Sequence, residues 1–377
     1  MKLKFLDGLR GIAALYVMIG HARFLLWEGY QHGYLLHSNQ YSTVNKMFMY
    51  FFSLFKYGHQ FVLLFFVLSG LVIHLGFANK LAKDSECVFD FRKYIYKRAK
   101  RIYPPFLFAI LLTLLLDTLG KYYGFTIYSG NTPNSLINTN VGTSNHQLTT
   151  LIGNIFFLYT NYVPLFGTNG PSWSLKLEWW FYLCYPFFLI LSRTNIYRSS
   201  LLILILFIAG AFPFLWPVSL LKDIFSSMLS WWLGVLIAEV IAGRLKVSLK
   251  YFSIFSFLLY FLFAFVFKLE YCADLQIALL FSAIISLLLW FNSTGKRFYF
   301  LEKLKPFGDF SYTLYIIHFP IFVFASGLIM KYNNNTLPMN SYFIIIGIIV
   351  AIVISYIVHF LVEVPFTKSN PKKLEQK

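Results

Sequence analysis

The sequence predicts an all-α polytopic membrane protein of about ten transmembrane helices, with both termini in the cytoplasm. Three observations carry the prediction. Of the 377 residues, 58% are hydrophobic and only 12% are charged, whereas a soluble globular chain carries about 25% charged residues. The mean hydropathy is +0.64, and the apolar residues fall in runs long enough to cross about 30 Å of hydrocarbon as helix. Open strands are excluded there because lipid cannot satisfy their backbone groups. The third observation is the placement of the charges. This composition also excludes a disordered chain and a nucleic-acid-binding domain. Cys87, Cys184 and Cys272 are too few and too widely spaced for a disulfide framework or a CxxC metal site.

The qualifying runs are 9–27, 55–77, 103–119, 172–191, 199–217, 224–242, 251–267, 273–291, 307–329 and 341–361. A further apolar stretch, 146–161, is too short to span and reads as an interfacial or re-entrant piece. With the N-terminus in the cytoplasm, the cytoplasmic ends hold 24 Lys and Arg residues and the opposite side seven, with Lys176 inside a span. Eight of the 24 lie in 78–101 alone. This split satisfies the positive-inside rule, so most of the net charge of +17 encodes orientation and not a polyanion partner. Residues 1–366 read as one membrane domain and 367–377 as a basic cytoplasmic tail. No cleavable signal is expected at the start. The sequence shows no internal repeat, which weighs against a secondary transporter.

Ionisable groups inside a span cost about 2.5–3.5 kcal/mol each on insertion scales, so exceptions to the apolar pattern mark candidate sites. In the first span, Arg10 and His21 are eleven residues apart. At about 100° per residue they share one helix face, roughly 16 Å apart. Gly8, Gly11, Ala13 and Ala14 leave room for close approach by another helix or a ligand. A cation at the cytoplasmic end and an imidazole deeper on the same face suit a ligand with an anionic head and a reactive tail. The alternative makes Arg10 an interface anchor and His21 a packing histidine. In the second span, Ser69-Gly70 reads as a close-packing site, with no histidine at local spacing to activate the serine.

The basic segment ends in Lys97-Arg98-Ala99-Lys100-Arg101-Ile102-Tyr103-Pro104-Pro105. Arg98 and Arg101 are i, i+3 neighbours on one helical turn, and the prolines are expected to start the next span. Arginine suits bidentate phosphate binding; orientation or anionic-lipid contact is the alternative. The fourth span opens with Trp173, Ser174, Lys176 and Glu178. Glu178 either pairs with Lys176 or orients a substrate hydroxyl, and Trp173 either belongs to an interfacial belt or stacks on a sugar ring. In the ninth span Ser311, Tyr315 and His318 follow i, i+4, i+7 spacing and share a face. His359 and Glu363, at the end of the tenth, are an i, i+4 pair. Both sets suit structural contacts first.

In this order, the motifs resemble the acyltransferase-3 family of integral-membrane O-acyltransferases. They are Arg10-x10-His21, Phe65-Phe66-x-x-Ser69-Gly70, Arg98-x-x-Arg101-Ile102-x-Pro104, Trp173-Ser174-Leu175-x-x-Glu178-x-x-Phe181-Tyr182, Ser311-Tyr312-x-x-Tyr315-x-x-His318-x-Pro320 and Glu363-x-Pro365-Phe366. The resemblance runs from Leu6 to Phe366. It implies transfer of an acyl group, usually acetyl, from cytoplasmic acyl-coenzyme A to a sugar hydroxyl at the outer face. Typical acceptors in the family are lipopolysaccharide O-antigen, exopolysaccharide or peptidoglycan. It implies a bacterial-type inner membrane, no metal and no nucleic acid.

By this resemblance His21 is the catalytic base, Arg10 is its partner in the donor path, and Arg98 and Arg101 meet the coenzyme A phosphates. Glu178 is the pocket acid, and Trp173, Ser174, Tyr315 and His318 are expected with it in the substrate pocket. The chain departs from the family pattern at Trp179, where an acidic or polar residue is common, and at Lys176, where a small one is. The chemistry is consistent: a sugar hydroxyl is a weak nucleophile at neutral pH, and a neutral histidine is the economical base. A glycan or metabolite transporter or flippase is the alternative. It accounts for polar residues in spans, but not for Arg10-x10-His21 together with a basic donor-like segment.

Overall fold

The computed structural model describes residues 3–84, 86–141, 144–193, 195–216 and 218–367. Among them there is no strand; the pairs Asn145–Phe166 and Tyr159–Val163 form isolated bridges. The principal helices are α1 (Lys4–Leu25), α2 (Thr43–Ser53), α3 (Gly58–Leu81), α4 (Phe91–Tyr122), α5 (Ser135–Val141) and α6 (Leu148–Ile155). They continue as α7 (Trp173–Ser192), α8 (Ile196–Gly210), α9 (Ser219–Ile241), α10 (Leu249–Phe261), α11 (Ala273–Ser293), α12 (Ser311–Tyr332) and α13 (Tyr342–Val358).

A helix occupies each of the ten expected positions, but eight helical stretches among the described residues are long and apolar enough to cross a membrane. The two that fall short differ for separate reasons. α7 carries Lys176 and Glu178 within 20 residues and has Pro186 inside it. α8 is 15 residues long, short of the roughly 20 that a crossing needs. The expected start of a span at Pro104 is also corrected. α4 is 32 residues long and takes in the basic segment, with Pro104 and Pro105 inside it. Each proline removes one i→i−4 bond, here to the carbonyls of Lys100 and Arg101, at the polar end of the helix. The stretch 146–161 contains the eight-residue α6. The expected tail from 367 lies, beyond Thr367, outside the described residues.

The chain forms two compact units, each assembled from separated stretches. The first comprises Met1–Ala13, His59–Ile95 and Leu177–Lys305. In it α9 packs against α8 and α11, and α10 against α11. A methyl group at Gly70 would overlap the Trp231 carbonyl oxygen, and one at Gly234 the Val67 carbonyl oxygen. α3 and α9 therefore meet backbone to backbone, as small residues permit in membrane helices. Below that crossing lies a buried polar network: His74 Nε2 is 2.5 Å from Glu239 Oε1, His74 Nδ1 is 2.7 Å from the Tyr185 hydroxyl, and Arg244 donates to Glu239 at 2.9 Å.

The second unit comprises Ala14–Gly58, Tyr96–Lys176 and Pro306–Lys377. α12 packs against α13 and is largely buried. The segment before α7 is held by side chains, as buried loop backbone must be. Asn154 donates to the Thr150 and Pro164 carbonyls at 2.8 and 2.9 Å and accepts from the Phe166 amide at 3.0 Å. Asp117 of α4 is fully buried. It accepts from the Thr168 amide at 3.0 Å and hydroxyl at 2.7 Å, and lies 3.0 Å from His146 Nε2.

Candidate functional site

The site in the second unit is built on α12. Pro320 has no N–H to give the Ile316 carbonyl, and the Asn169 side chain donates to that carbonyl at 2.8 Å. The segment leading into α7 is thereby tied to α12 one turn from the proline. It is tied again by Tyr315, whose hydroxyl donates to the Pro171 carbonyl at 3.0 Å and lies 2.8 Å from the Ser174 hydroxyl. Tyr159 donates to the Ser172 carbonyl at 2.7 Å. Burial pushes its phenol well above the usual range, which keeps it a neutral donor. Lys176, nearly fully buried, donates to Thr160 and Asn161 at 2.6 Å each.

One turn beyond Tyr315 on α12, His318 is fully buried. Its Nδ1 is 2.8 Å from the Leu314 carbonyl oxygen, and its Nε2 is 2.8 Å from Nδ1 of His21. The two rings lie 15° from parallel with centroids 5.1 Å apart, so the bond runs close to the plane of both. A carbonyl only accepts, so the proton of neutral His318 sits on Nδ1 and its lone pair on Nε2. His21 must then donate through Nδ1–H. This leaves its own lone pair on Nε2, the nitrogen a base needs. Phe319 meets the His21 ring edge-on at 5.0 Å and Phe24 does so at 5.9 Å, fixing the plane of the imidazole.

The other expected residues occupy several places. Arg98 and Arg101 are half-buried, one turn apart on α4. At the next residue, the Ile102 carbonyl accepts from Tyr312 of α12 at 3.0 Å. Trp173 is half-buried in the first turn of α7. Arg10 and Glu178 belong to the first unit. Arg10 is half-buried on α1. Glu178 Oε1 accepts from Ser69 at 2.9 Å and from the Tyr182 hydroxyl, and Ser69 and Tyr182 are 3.2 Å apart. Ser69 is thus more than a packing residue beside Gly70. Its partner Tyr182 stands one helical turn after Glu178, a spacing visible in the sequence. Asn169 has no such local signal; only its effect at the proline of α12 reveals it. Among the described residues, no three His, Cys, Asp or Glu side chains cluster as a metal site requires.

Beyond the C-terminal end of α1, two cavities of about 950 and 420 Å³ share Glu28, His32 and Asn134. Glu28 Oε1 lies 2.9 Å from His37 Nε2 and accepts from the Tyr41 hydroxyl. Burial, with Glu28 beside it, raises Tyr41 and keeps it protonated.

No match was found among curated proteins or among solved structures. A family model of an acyltransferase domain matches residues 3–360. Together with the eight apolar helices, that match fits an integral, multi-pass membrane protein. The match spans nearly the whole sequence and includes both His21 and His318, so the chain belongs to the acyltransferase-3 family and is an acyltransferase.

Proposed function

We propose that the protein is a membrane-bound O-acyltransferase of a bacterial-type inner membrane, with both termini in the cytoplasm. It moves an acyl group, acetyl in the first instance, from cytoplasmic acyl-coenzyme A to a hydroxyl of a cell-surface saccharide such as O-antigen or exopolysaccharide. One observation carries this reading: His21 is oriented by His318 so that the lone pair of the neutral ring lies on Nε2. The saccharide oxygen attacks the thioester carbonyl carbon as His21 Nε2 takes the hydroxyl proton. The tetrahedral adduct collapses with cleavage of the C–S bond, and the departing thiolate recovers that proton from His21. The products are an ester and free coenzyme A, with His21 again neutral. Positioned proton transfer of this kind is worth about 10²–10⁴-fold in rate.

In this reading Arg98 and Arg101 bind the phosphates of the donor, which suits their guanidinium forks, and Arg10 lies along the donor path. Glu178 keeps the role of pocket acid that the resemblance implies, and Trp173 is a wall of the acceptor pocket. Ser174 and Tyr315 brace its wall, since their hydroxyls are already engaged with each other and with Pro171. Ester-linked acyl groups on surface glycans, measured with and without the gene, test the assignment. They should vanish without it and stay absent when His21→Ala is restored at equal membrane levels. A restored ester content with His21→Ala would refute the role of His21. Glycan movement that needs no acyl-coenzyme A would favour a transporter.

A further inference from the structure

The smaller of the two cavities has Phe24 as one wall, and the Phe24 ring touches that of His21. Two cations line it, Arg23 and Lys56. Arg23 follows His21 by two residues on α1, and its Nε is buried with no hydrogen-bond partner. A buried donor left unpaired is costly, so an acceptor that reaches this guanidinium is favoured. The one carboxylate on the same wall, Glu28, gives its Oε1 to His37 and Tyr41 and not to Arg23. Glu28 lines both cavities, and the larger one is also lined by neutral amides, among them Gln40, Asn333 and Asn335. Amides and a carboxylate oxygen match the hydroxyls of a saccharide. A guanidinium with no carboxylate on it, lining the same cavity as an ammonium, matches an anion.

We infer that the acceptor is a saccharide bearing an anionic group, a carboxylate or a phosphate. Arg23 and Lys56 hold the anion while Glu28 and the amides receive the hydroxyls, and Phe24 stands between this cavity and the ring of His21. The inference rests on the acyl-transfer reading for the fate of the bound sugar, but the binding site is testable without it. Because Lys56 is exposed, part of the preference for acid falls as salt rises.

The test uses full-length protein in nanodiscs of phosphatidylcholine and three disaccharides of one skeleton. One contains a hexuronate, the second is its carboxyl-reduced form, and the third is the reduced form carrying a phosphate monoester. Affinities are measured by calorimetry. At least one acidic sugar should bind tenfold or more tightly than the neutral one, and the stronger of the two names the anion. Arg23→Gln should bring that ratio close to one, Arg23→Lys should keep part of it, and Lys56→Gln should lower it severalfold. Equal affinities for all three sugars, or a ratio untouched by both glutamine variants, would overturn the inference. So would phosphatidylglycerol retained by the wild type and lost in Arg23→Gln while sugar affinities stay equal, which would assign the cations to a lipid headgroup. If the acidic sugar binds with the stated preference yet gains no ester from acyl-coenzyme A, the binding site stands and the acyl-transfer reading falls.

Discussion

The Leu314 carbonyl can only accept, and from that constraint the proton positions run outward through His318 to Nε2 of His21. Removing His318 therefore acts on the tautomer of His21 more than on substrate binding. In steady-state kinetics, His318→Leu should lower kcat by about 10²-fold, within the range expected for losing a positioned base, with KM changed little. His318→Gln sets an amide oxygen near the place of Nε2 and should recover part of the loss. Equal losses in both variants would reduce His318 to packing. His21 is legible in the sequence through its spacing from Arg10, and His318 through its face with Tyr315. Their contact is not legible, because 297 residues separate them. The same holds for Ser69, whose partner Glu178 is 109 residues away.

The longer elements show what a hydropathy pattern does and does not report. It locates the apolar middle of each span, so helices stand at every expected position. It misses where a helix runs on into polar sequence, as α4 does back to Phe91, since helical hydrogen bonds need no apolar side chains. Arg98 and Arg101 consequently stand on a rigid helix and not on a loop. Arg98→Ala or Arg101→Ala should raise the apparent KM for the acyl donor with a smaller effect on kcat. An unchanged KM would return these arginines to membrane orientation. The hydropathy pattern does not distinguish Gly234, yet a methyl group there would strike the backbone of α3 at Val67. Backbone cannot swing aside as a side chain can, so Gly234→Ala should cost about 1–3 kcal/mol. A lowered melting temperature in detergent would register it, and an unchanged one would show that the helices can separate at little cost.

For the whole molecule, composition and charge asymmetry are enough to indicate a multi-pass helical membrane protein, because the bilayer penalises almost every alternative. They do not reveal the two compact units, each drawn from three separated stretches, with α1 contributing to both. Nor do they reveal the cavities at the end of α1, whose walls come from residues within 23–40, 49–56, 133–136 and 328–343. The family match over residues 3–360 establishes acyl transfer as the activity class. The structure contributes a specific arrangement in which one histidine orients another. In the proposed mechanism His21 Nε2 is the base that deprotonates the acceptor. Purified protein in proteoliposomes, supplied with acetyl-coenzyme A labelled in the acetyl group and a saccharide acceptor, probes that role. The wild type should place label in an alkali-labile ester on the saccharide, and His21→Ala, equally folded and equally able to bind donor, should lower that rate by about 10²–10⁴-fold. Ester formation by His21→Ala at the wild-type rate would show that His21 is not the base.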